Sequence, residues 1–215
     1  MFAGDSWLDL SHPLSEGISA YPGDPDYVLQ KMTSYHQEGY LVTKVSLGMH
    51  LGTHIDFPAH FLEGGKTASD YPLSRFIGKA CRIECVPNKI VLETKSISEA
   101  YAQFAFKPKI IVLDTHYSKK WGNERYYLDY PRFETDFARF LIEQKIELLF
   151  TDLPSVVYVD DHKGDLHREL LSEDILIGEN LKIPPELGRF FWFCALPLAF
   201  AGVEASIVRA VAKNI

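Results

Sequence analysis

The sequence predicts a mixed α/β fold, a β-rich sheet or barrel-like core with peripheral helices. Two observations carry this. Short apolar or alternating runs outnumber stretches of helical spacing, and the two kinds do not alternate strictly, as a doubly wound parallel fold would require. The 215 residues, 47% hydrophobic and 24% charged, also have the length and mix of one globular domain spanning 1–215. No repeat, low-complexity tract or flexible linker divides it.

Taken in order, Trp7 to Leu14 leads into Tyr21-Pro22-Gly23-Asp24-Pro25-Asp26, where two prolines and a glycine dictate a turn. Strand-like pieces come next at Tyr27–Met32 and Tyr40–Met49. From Lys44, the odd positions Val45, Leu47, Met49, Leu51, Ile55 and Phe57 are apolar. The even positions Lys44, Ser46, Gly48, His50, His54 and Asp56 are polar or small. That period of two predicts one face toward the core and one presenting polar groups. Lys79–Val86 and Lys109–Leu113 read as further strands. Ser96–Ala105 and Phe133–Gln144 have helical spacing, the latter with Phe137, Phe140 and Leu141 on one side. Glu147–Phe150 reads as a buried strand, Leu166–Asp174 as a brief helix, Ile175–Ile177 as a strand ending at Gly178-Glu179, and Phe190–Leu198 as a core strand.

Composition excludes several functions. Lys+Arg number 22 against 29 Asp+Glu, a net charge of -7 with no long block of either sign, so nucleic acid and anionic membrane surfaces are disfavoured partners. The N-terminus lacks the basic and apolar regions of a signal peptide. The apolar run from Phe190 to Val203 is too short for a bilayer and contains Pro197, so a cytoplasmic protein is expected. Cys81, Cys85 and Cys194 form no C-x-x-C pair and read as small buried residues.

The chemistry concentrates in Met49-His50-Leu51-Gly52-Thr53-His54-Ile55-Asp56-Phe57-Pro58-Ala59-His60. Neutral imidazole and carboxylate are ligands that Zn²⁺, Mn²⁺ and Fe²⁺ accept, and His50, His54 and Asp56 offer three from one stretch. In an extended chain residues 50 and 54 would lie roughly 13 Å apart, too far to share an ion bound at ~2 Å. The chain must therefore bend. Gly52 permits that, and a helical turn there would bring the i,i+4 histidines together. Pro58 stops any helix from continuing and sets the backbone before His60, which need not be a ligand and could move a proton beside a metal.

A second group, His162, Asp165, His167, Glu169 and Glu179, reads by itself as a solvated face. Glu179 is the exception, because it would emerge from a buried strand, where a lone carboxylate is costly without a cation.

His50 to His60 resembles the H-x-G-T-H-x-D-x-P-x-H signature of the cyclase-like metal-dependent hydrolases, the family of bacterial kynurenine formamidase and isatin hydrolase. The resemblance extends to Tyr21-Pro22-Gly23-Asp24, to Thr151-Asp152-Leu153-Pro154-Ser155, to Leu166–Leu181 and to the C-terminal Leu196-Pro197-Leu198 with Gly202–Val211. It implies the family's swivelling β/α/β-like fold and two divalent metal ions, Zn or Mn. His50, His54 and Asp56 would hold one ion, Asp56 would bridge to a second on His167 and Glu179, and His60 would be the catalytic acid/base. It further implies a small-molecule amide substrate and a homodimer or homotetramer. The chain departs from the family where Tyr21 replaces a tryptophan before the Pro-Gly-Asp turn, and where Glu204-Ala205 replaces an Asp-Gly pattern.

Tyr21, Phe57 and Phe61 are candidates for an aromatic slot around a flat substrate, with ordinary core packing as the alternative for each. The leading functional expectation is hydrolysis of a non-peptide C–N bond in an arylformamide such as N-formylkynurenine. Ring opening of a cyclic amide or lactone, and metal binding without catalysis, are the alternatives. A phosphoesterase is disfavoured because Met49–Leu62 contains no Lys or Arg to meet phosphate charge.

Overall fold

The computed structural model describes residues 6–87, 90–158 and 163–215. Its frame is a nine-stranded mixed sheet built from β1 (Leu8–Asp9), β4 (His54–Asp56), β5 (Ile77–Glu84), β7 (Ile110–Asp114), β9 (Leu148–Thr151), β10 (Leu176–Glu179), β11 (Phe190–Cys194), β12 (Ala205–Ile207) and β13 (Val211–Asn214). The spatial order is β1-β13-β11-β5-β7-β9-β10-β4-β12. The centre, β5-β7-β9-β10, is parallel, and both flanks are antiparallel. Two short pairs stand apart, β2 (Val28–Lys31) with β3 (Thr43–Ser46), and β6 (Val91–Leu92) with β8 (Arg132–Phe133).

The parallel centre explains the unbroken apolar runs: a strand covered on both faces has no need of polar positions. In β7, Ile111 and Leu113 join a core with the helices α1 (Thr94–Ala102), α2 (Phe137–Glu143) and α3 (Asp165–Ser172). Ile110 and Val112 join a second core on the opposite face with Phe150, Phe191 and Phe193. The sheet curls until the chain after β1 meets the chain after β10, through a Ser11↔Leu181 bridge and a Lys182 N–H bond to the Leu10 carbonyl at 2.9 Å. The expected mixed, β-rich fold with peripheral helices is what the chain adopts.

Several expected elements come out differently. The alternating run from Lys44 is not one strand. All of β3 is exposed, Val45 included, because its sole strand partner is β2 and nothing covers either face among the described residues. Pairing with the large sheet begins only at His54. Between them the chain turns through Gly52 in the left-handed region (φ 64°) instead of a helical turn, and a Cβ there would lie 2.6 Å from Leu14 Cδ2. The helix expected from Phe133 starts at Phe137, since Phe133 is held in β8 beside Leu92. The C-terminal strands β12 and β13 carry no strong periodicity by which the sequence could announce them; they exist because β4 and β11 offer them edges.

Candidate active site

The register of β4 assembles the site. In the antiparallel β4–β10 ladder, Glu179 lies opposite His54 and Ile177 opposite Asp56. Cross-strand partners and residues two apart share a face, so His54, Asp56 and Glu179 point together toward the side of the sheet that carries α3. On α3, His167 is buried with Leu170 and Leu171, spaced i, i+3, i+4, which aims its imidazole down at the same carboxylates. Thr53 Oγ1 donates to the Asn180 carbonyl at 2.7 Å, tying the ends of the two strands together, and the Val156 N–H, from the chain after β9, donates to Glu179 Oε1 at 2.9 Å.

The distances are short. Asp56 Oδ1 lies 2.9 Å from His50 Nδ1 and 3.3 Å from His54 Nε2, and Asp56 Oδ2 lies 3.4 Å from His167 Nε2. Glu179 reaches His54 Nε2 at 3.5 Å and His167 Nε2 at 3.2 Å. His60 sits at the rim, its ring centroid 4.1 Å from that of His50 and 5.8 Å from that of His167. Thus His50, His54, Asp56, His60, His167 and Glu179 are all brought to one place. Of the second cluster, Asp165 and Glu169 face solvent and His162 lies outside the described residues.

The charge arrangement is that of a cation site. His54 Nδ1 is 2.8 Å from the Gly52 carbonyl and donates to it, which in the neutral imidazole directs the Nε2 lone pair between two carboxylates. Buried His54 Nε2 and both Asp56 oxygens have no hydrogen bond of good geometry. A buried carboxylate so placed is costly until a positive charge joins it. Burial opposes ionisation of Asp56, yet His50 and His54, followed by His167, hold its carboxyl well below the usual range. Burial likewise opposes the charged forms of His50 and His167, yet their carboxylate neighbours push each up to about 9. His60 differs: burial dominates and lowers it to about 4. Ligand atoms of His54, Asp56 and Glu179 lie within 4.8 Å of one another, as do those of His50, Asp56 and His60, so the residues fit a divalent metal.

These groups line a cleft of ≈ 260 Å³, with Tyr21 and Phe61 on its wall. Phe61 is fixed firmly. Its ring stacks on His167 at 4.8 Å, and Arg168 Nη1 donates to its carbonyl at 2.6 Å. Gly164 lies so close that a Cβ would sit 2.2 Å from the Phe61 ring. Tyr21 makes a hydroxyl contact of 3.1 Å with Tyr130, whose hydroxyl donates to the Val157 carbonyl. Phe57 is not part of the wall. It comes one residue after Asp56, so the strand period sends it to the opposite face, where it is fully buried near Tyr71 and Phe76. Pro22, Asp24, Pro154, Ser155 and Val157 complete the cleft, and residue type alone does not mark them as site residues. Their only signal in the sequence is membership of, or adjacency to, the Pro-Gly-Asp and Asp-x-x-Ser stretches. No Lys or Arg is among the described lining residues.

The family model described as "Putative cyclase" matches residues 8–157. Kynurenine formamidase of Bacillus cereus is 31% identical over 210 residues, covering 97% of this chain and 98% of the relative. The chain belongs to the cyclase family. Solved structures of the same fold include isatin hydrolase A from Labrenzia aggregata bound to benzyl benzoate, with TM-score 0.84, 20% identity, and coverage of 98% of this chain and 94% of that one. Another is a potential metal-dependent hydrolase with cyclase activity, with TM-score 0.81, 20% identity, and coverage of 99% and 100%. The cyclase-family frame therefore extends beyond the stretch that the family model matches.

Proposed function

We propose that this protein is a metal-dependent amidohydrolase that cleaves the formyl C–N bond of an arylformamide, with N-formylkynurenine as the substrate and kynurenine and formate as products. The observation that carries this is the convergence of three imidazoles and two carboxylates, with buried, unsatisfied ligand atoms, beneath a cleft with aromatic walls. The 31% identity to a kynurenine formamidase favours a linear formamide over the cyclic amide or lactone of the alternative reading.

His50, His54, Asp56, His167 and Glu179 would hold two Zn²⁺ or Mn²⁺ ions, with Asp56 shared. When bound, such ions polarise a carbonyl and make water a nucleophile near neutral pH. The chain's own residues do the rest. Tyr21 and Phe61 orient the aryl ring. His60, at the rim and outside the carboxylate cage, takes a proton from the attacking water and delivers it to the departing aryl nitrogen. The cleft's lack of Lys and Arg suits a substrate whose reacting group is neutral.

A homodimer or homotetramer is part of this reading. The β2–β3 hairpin exposes Val28, Met32, Tyr35 and Val45, a surface that a second copy would cover. Among the described residues no helix is long and apolar enough to cross a membrane, and a cytoplasmic location accords with that.

The test is turnover of N-formylkynurenine against isatin by protein reconstituted with Zn²⁺ or Mn²⁺. Faster opening of isatin would replace the formamidase reading by the ring-opening one. Metal binding with no turnover on a panel of amides, lactones and esters would favour a non-catalytic protein.

A further inference from the structure

The geometry points to Glu204 as a positioning residue that orients His50 for metal binding. The two ring nitrogens of His50 face carboxylates on opposite sides. Nδ1 lies 2.9 Å from Asp56 Oδ1 inside the cluster, and Nε2 lies 3.5 Å from Glu204 Oε1 at the rim. His50 stands in the turn before β4, and no hydrogen bond from a backbone group to its ring occurs among the described residues. Its other ring neighbours are His54 at 5.2 Å and His60 at 4.1 Å, which set its packing and not its proton. With a cation between Nδ1 and Asp56, a carboxylate at Nε2 would hold the single remaining proton there and leave the Nδ1 lone pair facing the site.

Backbone register places Glu204. Its carbonyl accepts the Phe57 N–H at 2.9 Å, and the next residue, Ala205, is paired with Asp56 in the β12–β4 ladder. The strand that supplies Asp56 therefore also sets the distance of Glu204 from the site. His54 has its own orienting acceptor, the Gly52 carbonyl. Glu204 faces the outer nitrogen of His50 at 3.5 Å, a longer contact than that of His54, and an acidic residue at position 204 has that use whether the next residue is glycine or alanine.

This inference rests on the metal reading above, and the experiment separates the two. Zn²⁺ binding to metal-free wild type, Glu204→Ala and Glu204→Gln is measured by competition with a chromophoric chelator, together with the number of ions bound. Melting of the metal-free proteins checks that each is folded. Glu204→Ala is expected to weaken Zn²⁺ binding roughly 10- to 100-fold at unchanged stoichiometry, as loss of an orienting partner does. Glu204→Gln keeps an acceptor oxygen and is expected to fall between wild type and Glu204→Ala. Glu204→Ala affinity within about twofold of wild type would overturn the role, since partner loss is felt well beyond that. Loss of one whole ion would also overturn it, by making Glu204 a ligand. If wild type itself binds no Zn²⁺, the metal reading fails first.

Discussion

β3 and β4 look alike in sequence and behave in opposite ways. Both belong to a single stretch of alternating apolar and polar residues, yet β3 is exposed on both faces while β4 is buried on both. The difference lies in their neighbours. β4 is inserted between β10 and β12, with α3 on one side and the second core on the other, whereas β3 pairs with β2 alone. An alternating pattern states which residues share a face. It does not state what that face meets. In β4 the even face meets α3 and becomes the site, and the odd face becomes core.

The comparison can be broken most forcefully at Asp56. Asp56→Asn should remove both metals together and abolish turnover, because all three neighbouring imidazoles converge on its oxygens; metal analysis that finds one ion retained would sink the shared-ligand assignment. His60→Ala, just beyond β4, should keep its metals and lose about 10²- to 10⁴-fold in kcat, the usual contribution of a general acid–base. Unaltered kcat, or loss of metal, would remove His60 from that role.

On the other face of the same segment, Phe57→Ala should destabilise the fold by about 3–5 kcal/mol through cavity formation. Val45→Ala in β3 should change monomer stability by less than about 0.5 kcal/mol, as exposed substitutions do. Chemical denaturation of the two variants sharpens the contrast. Equal losses would mean that β3 is covered in solution, by a second copy in particular.

An effect smaller than that of Phe57→Ala is expected at His12, whose backbone N–H donates to Thr53 Oγ1 on the approach to β4 and whose ring stacks on Trp121 at 4.3 Å. Burial lowers its pKa from 6.5 to about 4. Between those values the unfolded chain binds a proton that the folded chain does not, so stability rises with pH through this window. The contribution is full above 6.5 and lost as pH falls toward 4. Allowing for partial exposure it amounts to about 2 kcal/mol. His12→Phe keeps the stack and should flatten the acid side of the stability curve; an unchanged slope would show that His12 is not the group responsible.

Much of the site is legible in the sequence because its densest part is local. His50, His54, Asp56 and His60 lie within eleven residues, and ligand chemistry is visible in residue type and spacing. Glu179 is signalled by its place at the end of an apolar strand. His167 is not, since a histidine among acids on a short helix has the composition of a solvated surface. Its membership comes only through family resemblance, and the packing of α3 on β10 is what carries its ring to Asp56. Phe57 goes the other way: an aromatic next to a ligand suggests a substrate wall, but adjacency along a strand means opposite faces.

What the sequence determined by itself was therefore the mixed, β-rich class and the contiguous ligand motif, because both depend on residue type and short-range periodicity. The tertiary structure alone decided that Glu179 stands opposite His54, that Glu204 reaches the outer nitrogen of His50, and that β3 remains exposed while β4 is enclosed. Those outcomes depend on strand register between segments more than a hundred residues apart, and on which edges remain for late strands to occupy. Local periodicity gives each segment a face, and only the order of strands in the sheet gives that face a neighbour.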